Sequence, residues 1–196
     1  AGQVIAAGQR AKIVFLCSPN NPTGNLLDEV ALLRVCTELA DRALVVVDEA
    51  YVEFCGRASL ASRLSAFPNL VLLRTLSKAY ALAGARLGTV IASEEIIGLL
   101  RRIIPPYAIP ASTVDDVLAL TEAPQRAASA ARIRTLLDER SRMQERLERC
   151  ANVARVWPSD ANFLLVECLD SKLFFAAGKS VGLIVRDFSS YPGLAN

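Results

Sequence analysis

Three short apolar runs, each ending in a polar sequence, place the strongest constraint on the fold of this chain. The runs are KIVFLC (12–17), ALVVV (43–47) and LVLL (70–73). They are shorter than a typical helix and rich in branched aliphatic residues, which is typical of strands buried on both faces of a parallel sheet. A helical pattern follows the first run. This alternation predicts an α/β layered domain with a mostly parallel sheet.

The helix between the first two strands is predicted from Leu26 to Ala40, where apolar residues recur at helical spacing. Asn25 is its expected N-cap, because a side-chain oxygen at that position can bind a free amide of the first turn. A further strand is expected at 87–92, after the RTLSK sequence. With it the first unit has four predicted strands.

The pattern changes after three prolines between residues 105 and 110. The later segments predict a smaller α+β unit, so we expect a partial large domain at 1–122 and a partial small domain at 123–196. Trp157 and the Phe174–Phe175 pair are expected in the core of the small domain. Its predicted elements are a long helix at 124–150, strands at 153–157, 163–168 and 184–188, and a helix at 171–181.

The composition excludes several classes of function. Histidine is absent, which excludes Ser-His-Asp and Cys-His catalysis and histidine-ligated zinc. The 22 basic and 20 acidic residues give a net charge of +2, so no electrostatic surface for nucleic acid is expected. The five cysteines form no CxxC pair, and they indicate buried thiols in a reducing, cytoplasmic compartment rather than a metal site. No apolar run approaches the roughly 18 residues of a membrane span, because Arg74, Arg86, Arg101 and Arg102 interrupt every candidate.

Polar sequences follow the three buried runs: SPNNPTG (18–24), DEAY (48–51) and RTLSK (74–78). Ligands of open α/β sheets bind outside the carboxyl ends of the strands, where these sequences would meet. A lysine near a carboxylate, beside hydroxyls and loop amides, suits a phosphorylated cationic ring. Pyridoxal phosphate is such a ligand, since its aldehyde forms a Schiff base with a lysine amine and its protonated ring nitrogen pairs with an aspartate carboxylate.

The motifs SPNNPTG, VVVDEAYVEF and RTLSKAYALAGARLG, in this order, resemble the type I pyridoxal-phosphate aminotransferases. Within that superfamily they most resemble the histidinol-phosphate aminotransferases, and PSDANFLLV and GLIVRD fit the small domain of that family. The resemblance extends from Lys12 to Asp187. It implies the type I fold and pyridoxal 5'-phosphate as cofactor. It also implies a chain that lacks the N-terminal loop and the C-terminal substrate arginine of the family.

The resemblance assigns a role to four residues around the cofactor ring. Lys78 matches the Schiff-base lysine, which also moves the proton between substrate and cofactor. Asp48 matches the partner of the pyridine nitrogen. Asn21 and Tyr51 match the pair that binds the phenolic oxygen.

Around the phosphate, Thr75, Ser77 and Arg86 match positions that the superfamily uses. Glu49 and Glu53 lie close to the matched residues in sequence, and we interpret them as structural or rim residues rather than as general bases. No metal ligand is assigned.

The implied reaction moves an amino group between histidinol phosphate, or imidazole-acetol phosphate, and the glutamate/2-oxoglutarate pair, in histidine biosynthesis. A homodimer is implied for the complete protein, because family sites use both subunits. Two alternatives stay open at this point. One is another enzyme of the superfamily, such as an aromatic aminotransferase or a phosphothreonine decarboxylase. The other is a non-catalytic truncated remnant that associates through an exposed apolar face.

Overall fold

The structure is a computed structural model, and it describes residues 1–191, 193 and 194. Within these residues the chain forms six α-helices, six strands and three short 3₁₀ turns. The helices are α1 Gly2–Gly8, α2 Glu29–Glu38, α3 Glu94–Arg101, α4 Ala111–Thr121, α5 Ala123–Leu147 and α6 Ser171–Ser180. The strands are β1 Ile13–Cys17, β2 Leu44–Asp48, β3 Leu70–Thr75, β4 Gly88–Ile91, β5 Val153–Val156 and β6 Val166–Cys168. The 3₁₀ turns are Val52–Phe54, Leu60–Arg63 and Ala83–Ala85.

The first four strands form one sheet in sequence order. β1, β2 and β3 are parallel, and β4 pairs with β3 in the antiparallel sense. The register pairs Cys17 with Asp48 and Asp48 with Leu73, so the carboxyl ends of the three parallel strands lie at one edge. The predicted α/β class with a mostly parallel sheet is confirmed.

One face of this sheet packs against α2. Val45 and Val47 of β2 and Leu70 and Leu72 of β3 are completely buried in the resulting core. Burial of apolar side chains is the main favourable contribution to folding, at about 25 cal/mol per Å² removed from water. The approach of α1 to this core is close, because a Cβ added at Gly8 would lie 2.5 Å from Leu39. This core fixes the strands whose ends carry the polar sequences.

α2 begins later than the sequence predicts, and the predicted N-cap at Asn25 is wrong. Asp28 is the N-cap, and its Oδ1 accepts a hydrogen bond of 2.8 Å from an amide of the first turn. The amides of Leu26 and Leu27 donate instead to side chains outside the helix. The carbonyl oxygen of Asn25 accepts from the Asn20 amide at 2.9 Å, and its Oδ1 accepts from the Thr23 hydroxyl, so both oxygens of Asn25 are used in the preceding turn rather than in the helix.

The second part of the chain contains α5, α6 and a separate two-stranded antiparallel sheet of β5 and β6. The strand expected at 184–188 is not formed, and its prediction is wrong. A strand requires a hydrogen-bonded neighbour, and this sheet offers none to residues 184–188. Glu122 lies between α4 and α5, so the predicted domain boundary coincides with a break between helices. That division stays a prediction.

The helices were also compared with the length and hydropathy of a membrane span. Among the residues that the structure describes, no helix is both long enough and apolar enough to cross a bilayer.

Candidate cofactor and active site

The carboxyl edge of the parallel strands collects the three polar loops predicted from the sequence. SPNNPTG follows β1, DEAY begins with the last residue of β2, and RTLSK runs from the end of β3. The parallel register explains why loops separated by tens of residues become neighbours here. This edge is therefore the candidate site.

Three predicted residues, one from each loop, converge at a single aromatic ring. The Nδ2 atom of Asn21 donates a hydrogen bond of 3.1 Å to the hydroxyl of Tyr51. The Nζ atom of Lys78 lies 5.6 Å from the centre of the Tyr51 ring, within the range of a cation–π contact. Tyr51 is buried, and Phe163 packs edge-on against it with ring centres 5.1 Å apart. An amide, a phenol and an amine are thus held around one point.

Asp48, the last residue of β2, is half-buried and does not line the cavity described below. Its Oδ1 accepts a hydrogen bond of 2.9 Å from the amide of Ala50, which fixes the carboxylate on its own loop. Burial raises the pKa of the neighbouring Cys17 thiol, and the negative charge of Asp48 adds to that shift. The carboxylate therefore influences the end of β1 as well as its own loop.

The two hydroxyls predicted for the phosphate bind each other. Thr75 Oγ1 donates to Ser77 Oγ at 2.9 Å and accepts from the Ser77 amide at 3.1 Å. A hydroxyl that binds an amide two residues later is a standard turn motif. It bends the chain directly before Lys78. The turn thus brings the Thr75 and Ser77 hydroxyls together directly before Lys78 in the chain.

Arg86 is the predicted residue farthest from this arrangement. Its guanidinium donates to the carbonyl oxygen of Ala83 at 3.0 Å and is exposed, so it lies on its own turn. Its backbone is left-handed, with φ of 53° and ψ of 38°. Such a conformation is strained for a residue other than glycine. The carbonyl oxygen of its neighbour Leu87 lies 3.5 Å from Thr75 Oγ1, so the backbone after Arg86 passes close to the phosphate loop.

A cavity of about 740 Å³ opens at this edge. Of the predicted residues, Asn21, Tyr51 and Lys78 line it, whereas the other four do not. The opposite wall comes from the second part of the chain and includes five aromatic residues. The aromatic residues of that wall are Trp157, Phe163, Phe174, Phe175 and Phe188.

These wall residues were missed by sequence reasoning. Trp157 and the Phe174–Phe175 pair were expected in a core, but they line the cavity. Trp157 is 37% exposed, and the guanidinium of Arg155 stacks on its ring at 3.6 Å. The alternating Arg155–Trp157 spacing on an edge strand was the available signal, since it places both side chains on one face.

The two parts of the chain are joined beside the cavity. The Asp160 amide donates to the carbonyl oxygen of Gly24 at 2.7 Å, and Asp160 Oδ2 accepts from the Leu26 amide at 3.0 Å. Gly24 has a φ of +75°, and a Cβ there would lie 2.4 Å from the Ser159 Oγ. Glycine is therefore required by both the backbone conformation and the close approach. This joint fixes the Asn21 loop against the second part.

Comparison with known proteins identifies relatives over nearly the whole chain. The family model described as aminotransferase class I and II matches residues 3–192. The histidinol-phosphate aminotransferase of Aeromonas salmonicida is 44% identical over 186 residues, which cover 94% of this chain and 52% of that protein. The chain thus spans about half the length of the curated relatives it matches.

Two solved structures are also similar. The histidinol-phosphate aminotransferase from Sinorhizobium meliloti, in complex with pyridoxal-5'-phosphate, has a TM-score of 0.81 and 26% identity, covering 94% of this chain and 51% of that one. The L-threonine-O-3-phosphate decarboxylase from Porphyromonas gingivalis has a TM-score of 0.80 and 25% identity, covering 93% and 56%. The predicted type I fold is confirmed by these likenesses.

Proposed function

The chain belongs to the class I and II aminotransferase family, and from this premise we propose that it serves pyridoxal-phosphate-dependent transamination. The proposed substrates are histidinol phosphate, or imidazole-acetol phosphate, and the glutamate/2-oxoglutarate pair. The 44% identity to a histidinol-phosphate aminotransferase supports this choice. The observation that carries the proposal is the convergence of Asn21, Tyr51 and Lys78, from three separate loops, on one cavity.

The donors that line the cavity, together with Asp48 at the end of β2, fit pyridoxal phosphate. The cofactor carries an aldehyde, a phenolic oxygen, a ring nitrogen and a phosphate, and it supplies an electron sink for the carbon that loses its proton. Lys78 offers the amine for the aldehyde, and Asn21 and Tyr51 offer hydrogen-bond donors for the phenolic oxygen. Asp48 offers a carboxylate for the protonated ring nitrogen, where the opposite charges favour the protonated form.

The phosphate would be held by the residues that the sequence assigns to it. The hydroxyls of Thr75 and Ser77 already lie together in one turn. Arg86 would leave its contact with Ala83 and bring a bidentate cation to the phosphate oxygens, since its exposed side chain is free to turn. The left-handed backbone at Arg86 is consistent with a residue kept for function.

In the proposed reaction Lys78 is the residue that moves protons. Its amine would accept the proton from the substrate α-carbon and then donate it to the cofactor carbon that bears the amino nitrogen. Lys78 would thus act first as a base and then as an acid. Tyr51 and Phe163 pack edge-on against each other beside it and form the apolar side of the cavity next to the amine.

Several further properties belong to the same proposal. Small-molecule substrates are proposed as the reaction partners, and a homodimer is proposed for the complete protein. The five cysteines are free thiols, which supports a reducing, cytoplasmic location. Likewise, the division at residue 122 is proposed as a domain boundary.

A second candidate is decarboxylation of a phosphorylated amino acid, which the likeness to the phosphothreonine decarboxylase supports. Both reactions use the same lysine and the same cofactor contacts. They differ in the bond that breaks at the α-carbon. Release of carbon dioxide from O-phosphothreonine, set against amino transfer from histidinol phosphate, separates the two candidates.

The proposal is tested by incubating the purified chain with pyridoxal phosphate, reducing it with borohydride and mapping the labelled peptide by mass spectrometry. We expect selective labelling of Lys78 and a visible absorption band before reduction. Lys12, Lys172 and Lys179 are internal controls, because none of them lines the cavity. Equal labelling of all four lysines, or none, would contradict the proposed site in this chain.

A further inference from the structure

A cluster of three charged residues lies next to the proposed site but outside its cavity. The Nη2 atom of Arg74 lies 2.6 Å from Glu53 Oε1, and its Nη1 atom lies 3.7 Å from Glu49 Oε2. The side chains are largely removed from water, with exposures of 25% for Arg74, 3% for Glu49 and 10% for Glu53. Charged groups are buried to this extent only when they are paired.

Glu49 extends the cluster to a third segment. Its Oε2 accepts a hydrogen bond of 2.6 Å from the Ser59 hydroxyl, and its Oε1 accepts one of 2.8 Å from the Leu60 amide. Glu53 depends more heavily on the arginine, because its Oε2 is buried without a hydrogen-bond partner among the residues that the structure describes. Arg74 is thus the one residue of the three that contacts both of the others.

The charges of this cluster also reach the loop that carries Lys78. Burial raises the pKa of Tyr80, and the charge of Glu53 raises it further, while Arg74 acts in the opposite direction. Tyr80 is two residues from Lys78 and packs, with Ala79, against the apolar cluster that contains Tyr51.

The position of the three residues in the sequence is the basis of the inference. Glu49 follows Asp48 directly, and Glu49 and Glu53 lie two residues on either side of Tyr51. Arg74 lies on β3 directly before the phosphate loop and four residues before Lys78. One guanidinium therefore connects the loop of Asp48 and Tyr51 to the strand that leads to Lys78.

We propose that Arg74 is a positioning residue, which holds these two loops in register through Glu49 and Glu53. The inference rests on the proposed function, because the loops are those that would contact the cofactor. A buried ion cluster is weak evidence for stability, since well-packed apolar residues in its place are often as stabilising. The cluster instead favours one arrangement of the two loops, because the guanidinium hydrogen-bonds Glu53 at 2.6 Å and lies 3.7 Å from Glu49 as an ion pair.

The first test is Arg74→Lys, which keeps the charge but loses the planar fork. In the cofactor-free chain we expect faster hydrogen exchange at the amides of Ala50, Ser77 and Leu82, which bond within the two loops. Exchange at the Leu39 amide, which bonds to Val35 at the C-terminal end of α2, should stay unchanged. Arg63→Lys is the matched control, because Arg63 binds Glu29 at 2.9 Å at an exposed position.

The second measurement uses the chain with pyridoxal phosphate. We expect Arg74→Lys to raise the Kd of the cofactor about tenfold, as the loss of one charge-assisted hydrogen bond would. We also expect a shift in the pH at which the visible absorption band titrates. Glu53→Gln, which has nearly the same shape, should change both readouts in the same direction. It keeps the test decisive if the arginine variant does not fold.

The possible outcomes separate this inference from the proposed function. A folded Arg74→Lys chain with unchanged loop exchange, Kd and absorption titration would overturn the positioning role. A lower Tm with those three readouts unchanged would also overturn it, since that is what a merely stabilising pair would give. If the unmodified chain binds no pyridoxal phosphate, the proposed function fails, and the exchange measurement still decides whether Arg74 fixes the two loops.

Discussion

The two parts of the molecule that face each other across the cavity are built differently. The sheet part has a continuous core in which β2, β3 and α2 bury most of their apolar residues. The second part has strands of three and four residues, and α6 contains no buried residue. The groups proposed to react lie on the sheet part, and the second part supplies most of the residues that line the cavity, including five aromatic ones. The comparison indicates that reactive groups are placed where the backbone is best constrained.

Lys78→Ala is expected to have the largest effect, because it removes the reactive amine from the sheet part. Cofactor capture by borohydride should be lost, and amino transfer should fall by about 10²–10⁴-fold, the range for a positioned acid–base group. Lys179→Ala, at the end of α6, is the matched control and should keep both. Peptide mapping and the rate of amino transfer check the result. Capture retained in Lys78→Ala would show that another lysine serves the site.

Leu72→Ala is expected to have the largest effect on stability. Leu72 is fully buried in β3, and removing a buried leucine side chain costs about 2–5 kcal/mol of unfolding free energy. Leu173→Ala in α6, where the side chain is 60% exposed, should cost less than about 0.5 kcal/mol. Urea unfolding of both variants measures the difference. Equal losses would contradict the contrast between the two parts.

Alkaline pH should weaken the sheet part through Cys36 of α2. Burial raises the pKa of this thiol from 9.0 to about 11. Between these values the unfolded chain has lost the proton that the folded chain keeps, so the stabilising contribution is full below pH 9.0 and declines as pH rises towards about 11. The slope is at most about 1.4 kcal/mol per pH unit.

Cys36→Ala isolates this effect from other groups that titrate at alkaline pH. Urea unfolding measured at several pH values should show a shallower loss of stability for this variant than for the unmodified chain. Cys150→Ala, at an exposed position after α5, is the matched control and should keep the original slope. An unchanged slope in Cys36→Ala would show that the buried thiol is not responsible.

The sequence predicted the sheet and its loops well because their signals are local. The apolar runs ending at Cys17, Val47 and Leu73 overlap β1, β2 and β3, and the three polar loops meet as expected. The expected burial on both faces is wrong for β1, where Ile13 and Phe15 are 49% and 69% exposed. Direct contacts between loops were partly predictable, since the resemblance paired Asn21 with Tyr51. The roles of all seven predicted residues stay predictions until the cofactor is tested.

What the sequence could not provide depends on distant contacts. The segment before α2 is held by the bond from the Leu26 amide to Asp160, which lies 134 residues away in the sequence. The oxygens of Asn25 bind Asn20 and Thr23 in that segment, so Asn25 does not cap the helix. The strand predicted at 184–188 was wrong because a short β-branched segment cannot show whether a neighbouring strand exists. Trp157 lines the cavity rather than a core, since its exposure depends on how the two parts of the chain meet.

The joint between the two parts gives the smallest expected effect and tests whether they are coupled. Asp160→Ala removes the acceptor for the Leu26 amide, and we expect a loss of about 1–2 kcal/mol in unfolding free energy, because the acceptor is charged. Asp160→Asn is the matched control, since its amide oxygen can still accept but carries no charge, and it should lose about half as much. Chemical unfolding and hydrogen exchange at the Leu26 amide measure both variants.

If the joint couples the parts, Asp160→Ala also speeds exchange at Gly24, whose amide bonds to Asn20 within the loop of Asn21. Exchange faster at Leu26 alone would show that the sheet part holds its loops without help from the second part.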